Sequence, residues 1–418
     1  MAVAYAVPPE PGLDEIIARY PLVSPFVILK TDVQRRGVRY TAAAQAAVDP
    51  SLHQVLYQGF SIEKQDQNPM SLILRDGTSI LISEGPNRRP PYVVDVVDGK
   101  TVLTDQGRVI EEVEYWHKPA YYDQTTTSGK PMWTVAAARP QRIDFNPYQY
   151  CQFWTNGQGC KYCNIAANFN QNKDQKPAFL DLEDIAETAR VALGQPGRFT
   201  SVFLTGGSLL SGAELLDDEV DLYIRVLQAI GRSLNPEKFP SQLIATAFNE
   251  RQLARLYEQT GLSSYTADIE VLNEDLFGWI CPGKAKKIGY REWKRRLVAA
   301  VDIFGPGNVN TGIVGGVELA QPRGFPSEAD ALKATLEEAE DLASQGVSTV
   351  YCVWNVAPGS VFQDQLSPSL DYYVQLAVGL DALRRKYNLS IDMDNYRRCG
   401  NHPDSDLSRV WQPVAGTL

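Results

Sequence analysis

The chain has 418 residues, 44% hydrophobic and 22% charged, with a formal net charge of −10. These totals describe ordinary globular protein and exclude a disordered, coiled-coil or collagen-like chain. The acidic balance, with no basic cluster longer than the REWKRR segment at Arg291–Arg296, gives little cationic footprint for a nucleic-acid partner. The N-terminus MAVAYAVPPEPGLDEII lacks the basic and apolar regions of a signal peptide. No apolar run is long enough to span a bilayer. The expectation is a soluble, cytoplasmic protein with no membrane association. Six cysteines are too few for a disulfide scaffold in a chain this long.

In chain order, a short helix near Leu13–Tyr20 precedes the β-type runs PFVILK, SLILR, SILIS, YVVDVV and TVLT. Asp76–Gly77 and Asp98–Gly99 punctuate two pairs of these runs as hairpin turns. Residues 1–138 therefore read as an N-terminal β-rich accessory domain of antiparallel strands. The polar stretch Tyr121–Pro131 reads as a linker or mobile loop.

From Arg139 the pattern becomes strands alternating with amphipathic helices, as in βαβ units. RIDFNPYQY, SVFLT, QLIATAF, YTADIEV, NVNTGIVGG and TVYCVWN are the expected strands. Asp181 caps the first full helix, and helices over Glu214–Ser233, Glu250–Gln259, Leu272–Ile280, Tyr290–Phe304 and Ala329–Ser344 follow. Six strands in so short a stretch fall below the length of a full eight-stranded barrel. The expected class is α/β, a partial (β/α)6 TIM-like barrel over residues 139–365. A C-terminal helical extension, residues 366–418, begins with a helix at Tyr372–Tyr387 and covers one end.

Chemistry concentrates in CQFWTNGQGCKYC. Cys151 is followed after eight residues by Cys160 and after two more by Cys163. Cys-x-x-Cys lets two thiolates reach one centre from a tight turn, and a third arrives from the start of the loop. A structural zinc site wants a fourth Cys or His, and the nearest histidines in sequence are His117 and His402. Three thiolates suit a [4Fe–4S] cluster with one iron open to a ligand. Zinc remains the alternative. The loop leaves the carboxyl end of the first barrel strand, where barrel enzymes place their chemistry.

On these residues the sequence resembles the radical S-adenosylmethionine (radical SAM) enzymes, in their biotin synthase-like branch. The resemblance covers Arg139–Ser360, and the eight-residue gap departs from the family's usual three. It implies that Cys151, Cys160 and Cys163 hold a [4Fe–4S] cluster whose fourth iron binds SAM. One electron then splits SAM to a 5′-deoxyadenosyl radical that abstracts hydrogen from a small-molecule substrate, as in cofactor or specialised-metabolite biosynthesis. It implies Tyr162 near the adenine. LTGGS would supply Gly206, Gly207 and Ser208 to the methionine ammonium, against the plainer reading of a strand-to-helix turn.

Asp268 and Glu270 of TADIEV, alternate residues of a strand, would accept from the ribose hydroxyls. TGIVGGVE (Thr311–Glu318) is close to a biotin synthase-like segment, with Ile313 and Val314 walling the adenine. Asn355, in VWNVAPGS, would sit at the adenine end, and Lys294 or Arg295 would meet the SAM carboxylate. A reductase or a flavodoxin or ferredoxin would donate the electron. Cys281, before Pro-Gly-Lys, would face the barrel mouth and donate a hydrogen atom to a substrate radical. Cys352 and Cys399 carry no assigned role. The competing classes are a non-catalytic zinc or iron–sulfur interaction module and a peptide- or RNA-modifying radical SAM enzyme.

Overall fold

The computed structural model describes residues 10–55, 68–82, 89–172, 177–232, 239–389 and 400–411. Cys399 lies outside them.

Two sheets organise the molecule. The first holds β1 (Val38–Tyr40), β2 (Ser71–Leu74), β3 (Ser79–Leu81), β4 (Tyr92–Val97), β5 (Lys100–Asp105) and β6 (Arg108–Glu114), in the order β1-β4-β5-β6-β2-β3. The Asp-Gly turns do close hairpins: β2 pairs with β3 and β4 with β5, both antiparallel. Only β1 breaks the antiparallel rule, lying parallel to β4.

The second sheet holds β7 (Ala136–Ala138), β8 (Arg142–Phe145), β9 (Ser201–Leu204), β10 (Ser241–Ile244), β11 (Ser264–Thr266), β12 (Val309–Gly315) and β13 (Val347–Val353). From β8 to β13 the strands are parallel and adjacent in chain order, while β7 pairs antiparallel with β8. Among the described residues no pairing joins β13 to β7, so the sheet is open. All seven residues of β12 are buried, as expected of a parallel strand covered on both faces. Helices cap as their sequences direct. Asp181 accepts from the amides of Glu183 and Asp184, and Asn249 with Gln252 forms a capping box.

Two sequence expectations fail. PFVILK is not a strand but the start of the helix Pro25–Arg36. Its apolar, β-branched residues suggest a strand, yet Pro25 sits at the helix start, where its fixed φ and missing N–H cost nothing. Every residue from Val27 to Arg36 is buried, including four charged ones. Each has a partner: Lys30 meets Asp406 at 2.6 Å, Arg35 meets Asp32 at 2.8 Å and Glu10 at 2.7 Å, and Arg36 meets Asp105 at 2.6 Å. Nor is Tyr121–Pro131 a free linker. Tyr121 and Tyr122 are buried, Ser128 Oγ donates to Asp184, and the Thr127 amide donates to Glu187.

The helix Leu370–Lys386 belongs to both cores. Leu370 and Val374 pack with Leu72, Ile80 and Val94 of the first sheet, while Tyr373, Leu376 and Leu380 pack with the second. The helix Pro403–Trp411 then returns Asp404 to Arg384 and Asp406 to Lys30. Among the described residues, no helix is long and apolar enough to cross a membrane.

Lys30 and Asp406 are both fully buried. Removing one partner of such a pair strands the other charge in the interior and costs about 3–5 kcal/mol. Asp406→Ala is therefore expected to lower the urea midpoint sharply, whereas exposed Lys333→Ala, with only a 4.0 Å surface contact, should leave it unchanged within about 0.5 kcal/mol.

Candidate active site

The three motif cysteines are placed by an extension of the β8–β9 pairing beyond the sheet. The Thr205 amide donates to Phe145 O at 3.1 Å, Gly207 to Tyr148 O at 3.1 Å, and Gln152 to Ser208 O at 2.9 Å. A Cβ on Gly207 would stand 1.7 Å from Tyr150 O and 2.7 Å from Cys151 Cα, and one on Gly206 would stand 2.9 Å from Tyr148 O. The glycine pair is thus required by the close approach of the cysteine-bearing segment. After Cys151 comes a 3-10 turn, Gln152–Gly157. Gly159 is needed because a side chain there would run into the Trp154 ring. The Cys163 amide then donates to Cys160 O at 3.1 Å, forming the tight Cys-x-x-Cys turn, and the Ile165 amide points at the Cys163 sulfur at 3.4 Å.

A second segment, from beyond β11, clasps this turn. The Lys161 amide donates to Ile280 O, and the Gly283 amide donates to Gln158 O, each at 2.9 Å. Cys160 and Cys281 lie between these two bonds and face one another. The neighbouring Cys281 thiol holds Cys160 below its usual pKa, whereas burial pushes Cys281 well above it. Tyr162, close by, also lowers Cys160. Burial, with the neighbouring thiols, pushes Cys151 up to about 11 and Cys163 up to about 12.

Polar groups surround the thiols. Lys284 Nζ donates to Glu270 Oε1 at 2.5 Å and to Asp268 O at 2.8 Å, and sits 4.7 Å from the Trp293 ring. Asp268 accepts from the Gly312 amide at 2.8 Å. A Cβ on Gly312 would come within 2.5 Å of that carboxylate. Burial, then the Glu270 charge, raises Asp268 to about 7. Glu219 accepts from the amides of Leu209 and Thr246 and from the Thr246 hydroxyl, and burial raises it to about 7. Thr246 Oγ1 also lies 2.6 Å from Ser208 Oγ.

The structure gathers Cys151, Cys160, Tyr162, Cys163, the Gly206–Ser208 turn, Asp268, Glu270 and Cys281 at the carboxyl ends of the strands. Ile313 and Val314 are buried on β12, and the Cys352 thiol approaches Ile313 O at 3.7 Å. Asn355 is half-buried two residues beyond the end of β13.

Three expectations need correction. Lys294 is on the outer face of the helix Tyr290–Phe304, paired with Glu338 at 2.6 Å and Asp341 at 2.7 Å, so its charge is spent between two helices. Asp268 and Glu270 do not alternate along a strand. Regular pairing ends at Thr266, and Glu270 has φ +73°, so the two-residue repeat fails between them. Cys281 is fully buried against Cys160 and does not open to the barrel mouth. Sequence reading missed Lys284 and Glu219. Lys284 follows Cys281 by three residues, the spacing that puts two side chains on one side of a helical turn. Glu219, inside an acidic helix start, carries no local signal.

Among the described residues, no three side chains of His, Cys, Asp and Glu converge so as to hold a single metal ion. A cubane cluster sets a different demand, because its thiolates bind separate irons and must border a common space. Three thiols close enough to bear on one another, with backbone held close by glycine, fit that demand.

No family model matches the chain. Bacteriochlorophyllide c C-7(1)-hydroxylase of Chlorobaculum limnaeum is 26% identical over 344 residues, covering 78% of this chain and 80% of that protein. This chain is an enzyme. Among solved structures, methylornithine synthase superposes with a TM-score of 0.40 at 12% identity, covering 67% of this chain and 78% of that one. The cobalamin-dependent S-adenosylmethionine radical enzyme OxsB with aqua-cobalamin bound gives 0.32 at 12% identity, covering 62% and 38%.

Gly207→Ala is expected to push the Tyr150–Cys151 backbone away and sharply lower the iron taken up per chain on anaerobic reconstitution. Gly231→Ala, whose Cβ would meet nothing nearer than Phe239 at 3.7 Å, should leave iron uptake at the wild-type level.

Proposed function

We propose that the protein is a radical SAM enzyme of the biotin synthase-like type. One observation carries the reading: the Cys151/Cys160/Cys163 loop is bonded to the Gly206–Gly207 turn at the carboxyl end of a parallel sheet, where barrel enzymes place their chemistry. In this reading residues 139–365 are the catalytic unit, 1–138 the accessory domain, whose last strand β7 joins the catalytic unit's sheet, and 366–418 the extension. Cys151, Cys160 and Cys163 would hold a [4Fe–4S] cluster, which when bound supplies the electron that cleaves SAM reductively. The reducing cytoplasm would keep these thiols available.

The remaining residues bind, orient and exclude water. The Gly206–Ser208 backbone would meet the amino-acid end of SAM. Asp268 and Glu270 would offer carboxylate oxygens to its hydroxyls, sharing them with Gly312 and Lys284. Tyr162, Ile313, Val314 and Asn355 would border the adenine. Burial of this set keeps water from a reactive intermediate. An external reductase, flavodoxin or ferredoxin would supply the electron. The substrate is a small molecule in biosynthesis. Given the named activity of the bacterial relative, bacteriochlorophyllides are the first substrates to try, with hydroxylation the first reaction to look for.

A second reading rests on Cys281, whose contact with Cys160 provides the fourth thiol that the local sequence lacks. It makes the site a cluster whose irons are all held by thiolates, with no place for SAM, since among the described residues no three such side chains converge on a single metal ion.

The two readings separate in one experiment. Anaerobically reconstituted protein, given SAM and dithionite, should form 5′-deoxyadenosine with about four irons per chain. Cys151→Ala, Cys160→Ala and Cys163→Ala should each abolish it, and Cys281→Ser should keep both iron and product. A colourless zinc protein, or loss of the cluster in Cys281→Ser, would defeat the radical reading.

A further inference from the structure

The buried cation beside the cysteine loop has no assigned role. Lys284 is only 11% exposed along its side chain. It is fixed from three sides: the Glu270 carboxylate, the Asp268 carbonyl and the Trp293 ring. Its backbone is fixed to the cysteine loop itself, because the Gly283 amide donates to Gln158 O and a Cβ on Gly283 would come within 2.5 Å of the same oxygen. The clasp that sets Cys281 against Cys160 therefore also sets the position of Lys284. Its charge bears on Cys151, Cys160 and Cys281, with Glu270 opposing it at Cys160 and Cys281 and acting on Cys163 as well.

A lysine this deep is unusual unless it is paired, and the pair with Glu270 accounts for its burial. The pair does not account for its location. Three thiolates make the site net negative, and each electron added to a bound cluster makes it more so. A fixed positive charge in a low-dielectric setting favours the more negative state, and net charge near a cluster is one of the settings of its reduction potential. The surrounding groups Asp268, Glu219 and Glu270 are all carboxyl groups, so within this shell the favourable charge comes from Lys284.

We propose that Lys284 is a positioning residue that sets the reduction potential of the cluster held by Cys151, Cys160 and Cys163, with Glu270 as the counter-charge that limits its effect. The proposal rests on the cluster reading above. It assigns to the Ile280–Lys284 clasp a purpose beyond packing: it holds one cation at a fixed place relative to the cysteine turn.

The test is a mediated redox titration of the full-length, anaerobically reconstituted protein without SAM, following the visible absorbance. Lys284→Met should shift the midpoint to more negative potential, and Glu270→Gln should shift it the other way. Lys284→Arg should stay near wild type. The charge-balanced double variant, Lys284→Met with Glu270→Gln, should fall between the singles and guards against a single variant that fails to fold. A lysine serving only to hold the fold would leave the potential of any folded, cluster-loaded variant unchanged. An unchanged midpoint in Lys284→Met at wild-type iron content overturns the proposal, as does an unchanged midpoint in Glu270→Gln. Weakened SAM binding at an unchanged potential would give the lysine to the cofactor's carboxylate and equally overturn it. If the wild type takes up no cluster at all, the cluster reading itself has failed.

Discussion

The site depends on one steric constraint, the contact between two backbones at Gly207. Tyr150 O occupies the space where any side chain at that position would begin. That contact lets the Tyr148 carbonyl and the Gln152 amide bond to the turn after β9, and so fixes where Cys151 emerges. The second cysteine pair inherits its place from the clasp between residues 158–161 and 280–283. Each of the two contacts uses a glycine to bring main chain against main chain, where backbone groups bond with no side-chain freedom to lose. The thiols are therefore held by hydrogen-bonded backbone on both flanks, although the loop that carries them has little regular structure.

Electrostatics divides the molecule into two styles. At the carboxyl ends of the strands, buried carboxyl groups outnumber cations, and burial lifts Asp268 and Glu219 toward neutrality. Along Pro25–Arg36 the charged residues are instead matched in tight pairs with Glu10, Asp32, Asp105 and Asp406. The helix is consistent with a structural tie. Full pairing is how a helix buried on all sides carries polar residues without an uncompensated charge.

Much of the second sheet is legible in the sequence because parallel strands announce themselves as apolar runs between capped helices. Tyr290–Phe304 begins and ends where the sequence pattern places it. The hairpins at Asp76–Gly77 and Asp98–Gly99 are legible for the same local reason. What escapes is set by distant contacts. PFVILK becomes helical within a segment that is buried from Val27 to Arg36, with partners as distant as Asp406. The alternation of Asp268 and Glu270 breaks at a positive φ that a run of strand-like residues does not reveal. The contact of Cys281 with Cys160 joins residues 121 positions apart, so the fourth thiol of the region was invisible to spacing. Lys294 misled because a basic residue at the right place in a motif order says nothing about which face of its helix it occupies.

The helix Leu370–Lys386 lends its first turns to one hydrophobic core and its later turns to the other. Neither sheet then completes its interior without a segment that follows the last barrel strand. A consequence concerns how such a protein can be taken apart or recombined. Its leading β sheet is not a cassette that can be cut at a single junction and exchanged, since a stretch from the far end of the chain would have to travel with it.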